Sequence, residues 1–183
     1  VTTVVRPAVG PVDVPGLSDI LVDCVTGGAS VGFMLPFDAH RAARFWEGML
    51  ADAERGERIV LVAEDPLSGL AVGTVTVTLS TPENQPHRGE ITKMLVRRDS
   101  RRQGTGERLM QSAEAAARSC GKSLLILDTA SADAERLYER LGWQRVGAIP
   151  NFALEPAGGF VSTVVFFKEL DGFARGPLES SGS

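Results

Sequence analysis

The feature that most constrains this chain is a junction. A strand-like run at residues 90–96, Glu-Ile-Thr-Lys-Met-Leu-Val, enters the segment Arg97-Arg98-Asp99-Ser100-Arg101-Arg102-Gln103-Gly104-Thr105-Gly106, which opens into a long helical stretch. The first four N–H groups of a helix have no internal acceptor, and the aligned peptide dipoles make that end electropositive. Gly104 and Gly106 remove the β-carbons that would hold an anion away from those amides. The junction therefore reads as a cradle for a phosphate or pyrophosphate. Two common nucleotide loops do not fit. Gly121-Lys122-Ser123 has Ala116 where a Walker loop needs its first glycine, and it precedes a strand. The dinucleotide fingerprint GxGxxG fails because Leu109 follows Gly104 and Gly106.

The rest of the chain alternates helical and strand patterns. Residues 4–6 predict a short edge strand. Val14, Leu17, Leu21, Val22 and Val25 have helical spacing, closed by Gly27-Gly28. A glycine-rich loop at residues 27–34 leads to a second helix capped by Asp38, with Ala42, Phe45, Trp46, Met49, Leu50 and Ala53 on one face. Residues 59–63 and 73–79 predict strands. The second alternates valines with threonines, as a half-buried hairpin arm does. The helix over residues 104–120 places Leu109, Ala113, Ala116 and Cys120 on one stripe. Residues 124–127 form an apolar strand buried on both faces, 133–141 a short helix, and 143–149 and 161–167 the closing strands. These elements compose a single α/β domain of α+β type over residues 1–170, and the polar residues 171–183 read as a flexible tail.

Composition removes several classes. The chain has 183 residues, enough for one substantial core, and a net charge of -4, which gives no general attraction to nucleic acid or anionic membrane. No apolar run reaches the roughly 18 residues of a membrane span, and no signal pattern opens the sequence. Cys24 and Cys120 lie far apart without histidine neighbours, so no metal site is expected, and two reduced, partly buried thiols fit a cytoplasmic protein. His40 and His87 read as exposed. Arg97, Arg98, Arg101 and Arg102 have no interleaved aromatics, so they speak for a phosphate-bearing ligand rather than nucleic acid.

The Arg-x-x-Gly-x-Gly of residues 101–106, after a strand, resembles motif A of the GNAT superfamily of N-acetyltransferases. Ala134-Glu135-Arg136-Leu137-Tyr138-Glu139-Arg140-Leu141-Gly142-Trp143 resembles the second motif of that family, with Trp143 in the usual phenylalanine position. The order of elements is similar over nearly the whole chain. More narrowly, residues 27–34, Lys93-Met94-Leu95-Val96 and Leu127-Asp128-Thr129 look like the tabtoxin-resistance acetyltransferase. Two positions depart from the pattern: Arg98 stands where proline is frequent, and Ser131 where asparagine is usual.

The resemblance implies a central, mostly antiparallel twisted sheet of about seven strands flanked by about four helices. It also implies acetyl-CoA as co-substrate, held by Met94, Leu95, Val96, Arg101, Arg102, Gln103, Gly104, Thr105, Gly106 and Ser131. Transfer is expected to be direct: an amine attacks the thioester and coenzyme A leaves as a thiolate. A backbone N–H near Leu95 or Val96 would receive the developing oxyanion, and Tyr138 would protonate the thiolate. For the base, Asp128 ranks first, because partial burial at a strand end raises a carboxyl pKa. Glu90 ranks second, and water is the alternative to both. Gly28, Ser30 and Phe33 fall where the family places its acceptor groove. The loop at residues 81–90 is expected to cover the site and favour a small-molecule amine. A protein or peptide acceptor and a non-catalytic acyl-CoA sensor are the competing readings, and the oligomeric state stays open, a homodimer included.

Overall fold

The structure, a computed structural model, describes residues 3–170; the expected tail lies outside the described residues. Seven strands form one sheet: β1 (Val4–Pro7), β2 (Arg58–Glu64), β3 (Ala71–Thr78), β4 (Arg88–Val96), β5 (Leu124–Thr129), β6 (Gln144–Leu154) and β7 (Phe160–Glu169). Their spatial order is β1-β2-β3-β4-β5-β7-β6. Every neighbouring pair is antiparallel except β4 and β5. Helices α1 (Val14–Thr26) and α2 (Ala39–Glu54) cover one face, and α3 (Thr105–Ser119) and α4 (Ala132–Arg140) the other. This is the sheet and helix complement that the resemblance implied.

Local chemistry explains most of the boundaries. Asp38 caps α2 by accepting the Arg41 N–H at 2.8 Å, as the sequence predicts. Leu17, Ile20, Leu21, Cys24 and Val25 of α1 meet Ala42, Trp46 and Leu50 of α2 over Val60 and Val62. At the edge, Arg6 grips the Asp13 carboxylate with two bonds of 2.7 Å and also bonds Glu64, tying β1 to the start of α1. On the other face, the Glu114 carboxylate accepts the Trp143 indole N–H at 2.9 Å and the Lys168 ammonium at 2.7 Å, linking α3 to the segment after α4 and to β7.

Several expectations are corrected. The threonine face of β3 is not half-exposed. Thr74 and Thr76 are fully buried beneath α1 and α2, and Thr74 donates to the Leu61 carbonyl at 2.8 Å. On α3 the buried stripe is Leu109, Met110, Ala113, Glu114 and Ala117, so Ala116 sits at its margin and Cys120 is exposed. Cys24, by contrast, is buried. His40 is exposed as expected, but His87 is half-buried. Strand β6 continues past Pro150 to Leu154. It is one of the sheet's two edge strands, where proline is tolerated, and it absorbs Asn151 at a left-handed φ of 53° by a bulge.

The loop at residues 81–90 does not cover the site. It packs at the opposite end of the sheet, where Lys122, the lysine of the Walker look-alike, donates at 2.8 Å to the carbonyls of Leu79 and Pro86. Arg98, in the frequent proline position, makes the bend by another route. It opens a single 3-10 turn (Arg98–Ser100), and its backbone N–H and its Nε each donate to Asp23 of α1 at 2.8 Å.

Candidate active site

Strands β4 and β5 are paired at only three positions: Arg88↔Leu124, Gly89↔Leu125 and Glu90↔Ile126. Beyond Glu90 they diverge, and the wedge between them opens into a cleft of about 920 Å³. Its floor is Ile91 to Val96 on one side and Leu127 to Thr129 on the other. The start of α3, the start of α4, the loop after α1 and the β6–β7 hairpin form its rim. Past the last rung, the edge of β4 that faces β5 has no ladder, so its peptide groups border the cleft. Main-chain divergence, not a missing side chain, creates this opening.

The strand-to-helix turn forms where the sequence placed it. Arg102 and Gly104 both adopt left-handed backbone, with φ of 60° and 82°, and turn the chain into α3. A β-carbon on Gly104 would meet nothing within 4 Å, so glycine is required there first for its conformation. Gly106 serves packing: a β-carbon there would lie 3.1 Å from Leu137 Cδ2 of α4. The first helical bond runs from Arg108 N–H to the Gly104 carbonyl at 3.1 Å. Among the described residues, the N–H groups of residues 104–107 have no acceptor, and the buried Thr105 hydroxyl has no partner. Arg101 and Arg102 stand beside them on the cleft, with Arg101 Nε held by the Val96 carbonyl at 3.2 Å. Free amides, an orphaned hydroxyl and two arginines fit the diphosphate of a coenzyme A.

Of the other expected cofactor residues, Met94, Leu95 and Val96 line the cleft, whereas Gln103 does not border it. Ser131 lines the cleft but spends its hydroxyl as the N-cap of α4, accepting from Ala134 N–H at 3.3 Å. Tyr138 lines the cleft at only 4% exposure, its ring edge-on to Phe166 at 5.8 Å and 6.1 Å from Trp143. Burial, and secondarily the charge of Asp128, push its phenol pKa well above the ordinary tyrosine value, so it keeps its proton throughout the neutral range. Asp128 lines the cleft and accepts from the Thr163 hydroxyl at 2.6 Å. It is exposed, so the partial burial on which its ranking as base rested is absent. Glu90 sits at the last rung and does not line the cleft. Gly28 and Ser30 border the cleft. Phe33 instead stands behind it, packed against Phe37 at 4.5 Å and Phe45 at 5.1 Å.

Sequence reasoning missed Lys93, Arg136 and Arg140, all on the cleft. The two arginines carried a signal, a basic pair at helical spacing inside the second motif. Lys93 stood within a segment quoted for the resemblance, but its orientation could not be read there, because it depends on a backbone irregularity.

Residues 22–143 match the Acetyltransferase (GNAT) family, and the chain belongs to that family. It is an N-acetyltransferase that uses acetyl-CoA as co-substrate. Solved structures of similar fold include yncA of Salmonella typhimurium, determined with its cofactor acetyl-CoA, at 20% identity and TM-score 0.78 over 97% of this chain and 99% of that one. A phosphinothricin acetyltransferase of Sinorhizobium meliloti, in complex with acetyl-CoA, matches at 18% identity and TM-score 0.79 over 98% and 95%. A ribosomal-protein-alanine N-acetyltransferase of Brucella melitensis matches at 24% identity and TM-score 0.78 over 91% and 99%.

Proposed function

We propose that the acceptor is the amine of a small molecule. One observation carries this reading: the acceptor end of the cleft has a tethered roof. Ser30 Oγ donates to the Leu154 carbonyl at 3.0 Å, and Leu35 N–H donates to the Pro156 carbonyl at 2.9 Å. The loop between α1 and α2 is thus bonded to the β6–β7 hairpin across the cleft, where an extended peptide would need an open groove. The solved relatives act on both kinds of acceptor, so fold alone does not choose. The narrower likeness to the tabtoxin-resistance acetyltransferase supports the same side, an amino-acid-like amine, antibiotics of that kind included.

Bound acetyl-CoA supplies the activated acetyl group. The start of α3 with Arg101 and Arg102 holds the diphosphate, and the unpaired edge of β4 near Leu95 and Val96 presents N–H groups to the carbonyl oxygen. The wedge lets the acceptor amine approach from the α1–α2 side. Asp128 holds the incoming ammonium, from which a proton passes to the carboxylate or to water; an ordinary amine of pKa ~10 must lose it before attack. Tyr138, kept protonated by its surroundings, holds the proton that the departing sulfur requires.

The test is calorimetric titration with acetyl-CoA, then thiol release over matched panels of small amines and peptides. Saturable binding with turnover confined to small amines is the expected result. Turnover of peptides alone overturns the small-molecule reading, and absence of acetyl-CoA binding overturns the site itself.

A further inference from the structure

The pairing of β3 with β4 slips by one residue: Thr76 faces Thr92 but Thr74 faces Leu95. The extra residue is Lys93, at a left-handed φ of 50° that a side-chain-bearing residue seldom adopts. The slip changes which side chains share a face. Regular alternation would set Lys93 on the same face as Ile91, over α3. Instead Ile91, Met94 and Val96 pack on the α3 side, and Lys93 is redirected to the α1–α2 side, its Nζ 5.5 Å from the centroid of the Phe45 ring. Bulges that re-aim a side chain cluster at functional sites.

The redirected ammonium is poorly provided for. Lys93 lines the cleft and is half-buried, yet among the described residues it has no ion pair and no hydrogen bond. The groups that face it are Asp128 of β5, Glu90 of β4 and Arg58 of β2, all felt through space without contact, and the Phe45 ring of α2. Arg58 is already committed to Asp52 at 2.7 Å. Desolvation outweighs the attraction of Asp128 and holds the Lys93 pKa below its ordinary value. A desolvated cation without a counterion is a destabilised arrangement that a bound anion relieves. Asp128 lines the same cleft and is in no ion pair among the described residues. A positive centre, Lys93, beside a negative one, Asp128, on the same cleft is the complement of a zwitterion.

We infer that Lys93 is a specificity residue that binds an oxyanion of the acceptor, so that the preferred substrate is a small amino acid or similar zwitterion whose amine is directed towards Asp128. This rests on the small-molecule reading above and narrows it to a substrate charge type. Carboxylate and phosphinate share the chemistry that Lys93 would recognise.

The experiment compares kcat/KM for α-amino acids with that for their carboxamide twins, in the wild type and in Lys93→Met and Lys93→Arg, with acetyl-CoA affinity measured on each by calorimetry. Phosphinate-bearing amino acids are run in parallel to separate the two oxyanions. The expected result is a wild-type preference of tenfold or more for the acid. In Lys93→Met that preference collapses at least tenfold, chiefly through KM, while Lys93→Arg restores part of it and both variants bind acetyl-CoA like the wild type. Equal loss for acid and amide in Lys93→Met would mean that the lysine only supports the fold, and would overturn the assignment. So would a wild-type protein that does not distinguish the twins, or one that binds acetyl-CoA and turns over neither series. A wild type that fails to bind acetyl-CoA removes the reading beneath, a result distinct from all of these.

Discussion

Replacing Tyr138 by phenylalanine separates chemistry from architecture at this site. The ring is 4% exposed and rests on Phe166 and Trp143. A phenylalanine keeps those contacts and removes one oxygen, so stability at neutral pH should change by less than about 1 kcal/mol. If the phenol delivers the proton to the leaving sulfur, its loss should lower kcat by 10²–10³-fold, about 3–4 kcal/mol of barrier, with the acetyl-CoA dissociation constant within about threefold. The raised phenol pKa adds a second, signed expectation. Below pH ~10 the phenol is neutral in both folded and unfolded chains. Above it the unfolded chain ionises first, so stability present at neutral pH falls as pH rises, and the phenylalanine variant escapes that loss. Stopped-flow thiol release and denaturant melts between pH 7 and 11 read both. A kcat loss under tenfold refutes the acid role, and parallel stability curves at high pH refute the burial argument.

Three other outcomes are expected. Gly104→Val imposes a β-branched residue on a left-handed turn at a cost of about 1–2 kcal/mol, and calorimetry should show acetyl-CoA binding weakened at least tenfold, with Gly104→Asn intermediate; unchanged affinity refutes the cradle. Asp13→Asn should cost about 2 kcal/mol at pH 7, because Arg6 first and the Val9 N–H in support hold the Asp13 pKa below the ordinary carboxylate value against the opposing effect of burial. That stability is complete above pH ~4 and is lost as pH falls through the depressed value, so the gap between wild type and variant should close in acid; a gap independent of pH refutes the ion-pair account. Glu114→Ala should cost about 3 kcal/mol in urea melts, since it strands the Trp143 indole N–H and removes the counterion of Lys168; less than about 1 kcal/mol refutes that bridge.

Most of the fold was legible because its signals are local. Asp38 caps its helix, Gly27-Gly28 ends one, and the glycine-rich entry to α3 lies where a strand meets a helix. The turn into α3 was legible for the same reason: helix starts and glycines act over a few residues. What the sequence hid depends on partners distant in the chain. The threonines of β3 look solvent-facing until two helices close over them. Asp128 looks sheltered at the end of an apolar strand, yet the strand ends at the mouth of the wedge. Loop length carries no direction, so the sequence alone does not place the loop at residues 81–90; Lys122 pins it to the far end of the sheet. Lys93 escaped because alternation alone assigns it to the wrong face, and a one-residue slip against β3 reverses that assignment.

The three rungs between β4 and β5 divide the catalytic problem in two. An opening set by the course of the main chain does not depend on any one side chain, so its position is insulated from drift in the surrounding sequence. The walls are not. The cleft is bounded by the loop after α1 and by the tip of the β6–β7 hairpin, surface connections that tolerate insertion and substitution. A chain built this way can change what it acetylates while leaving untouched the apparatus with which it acetylates.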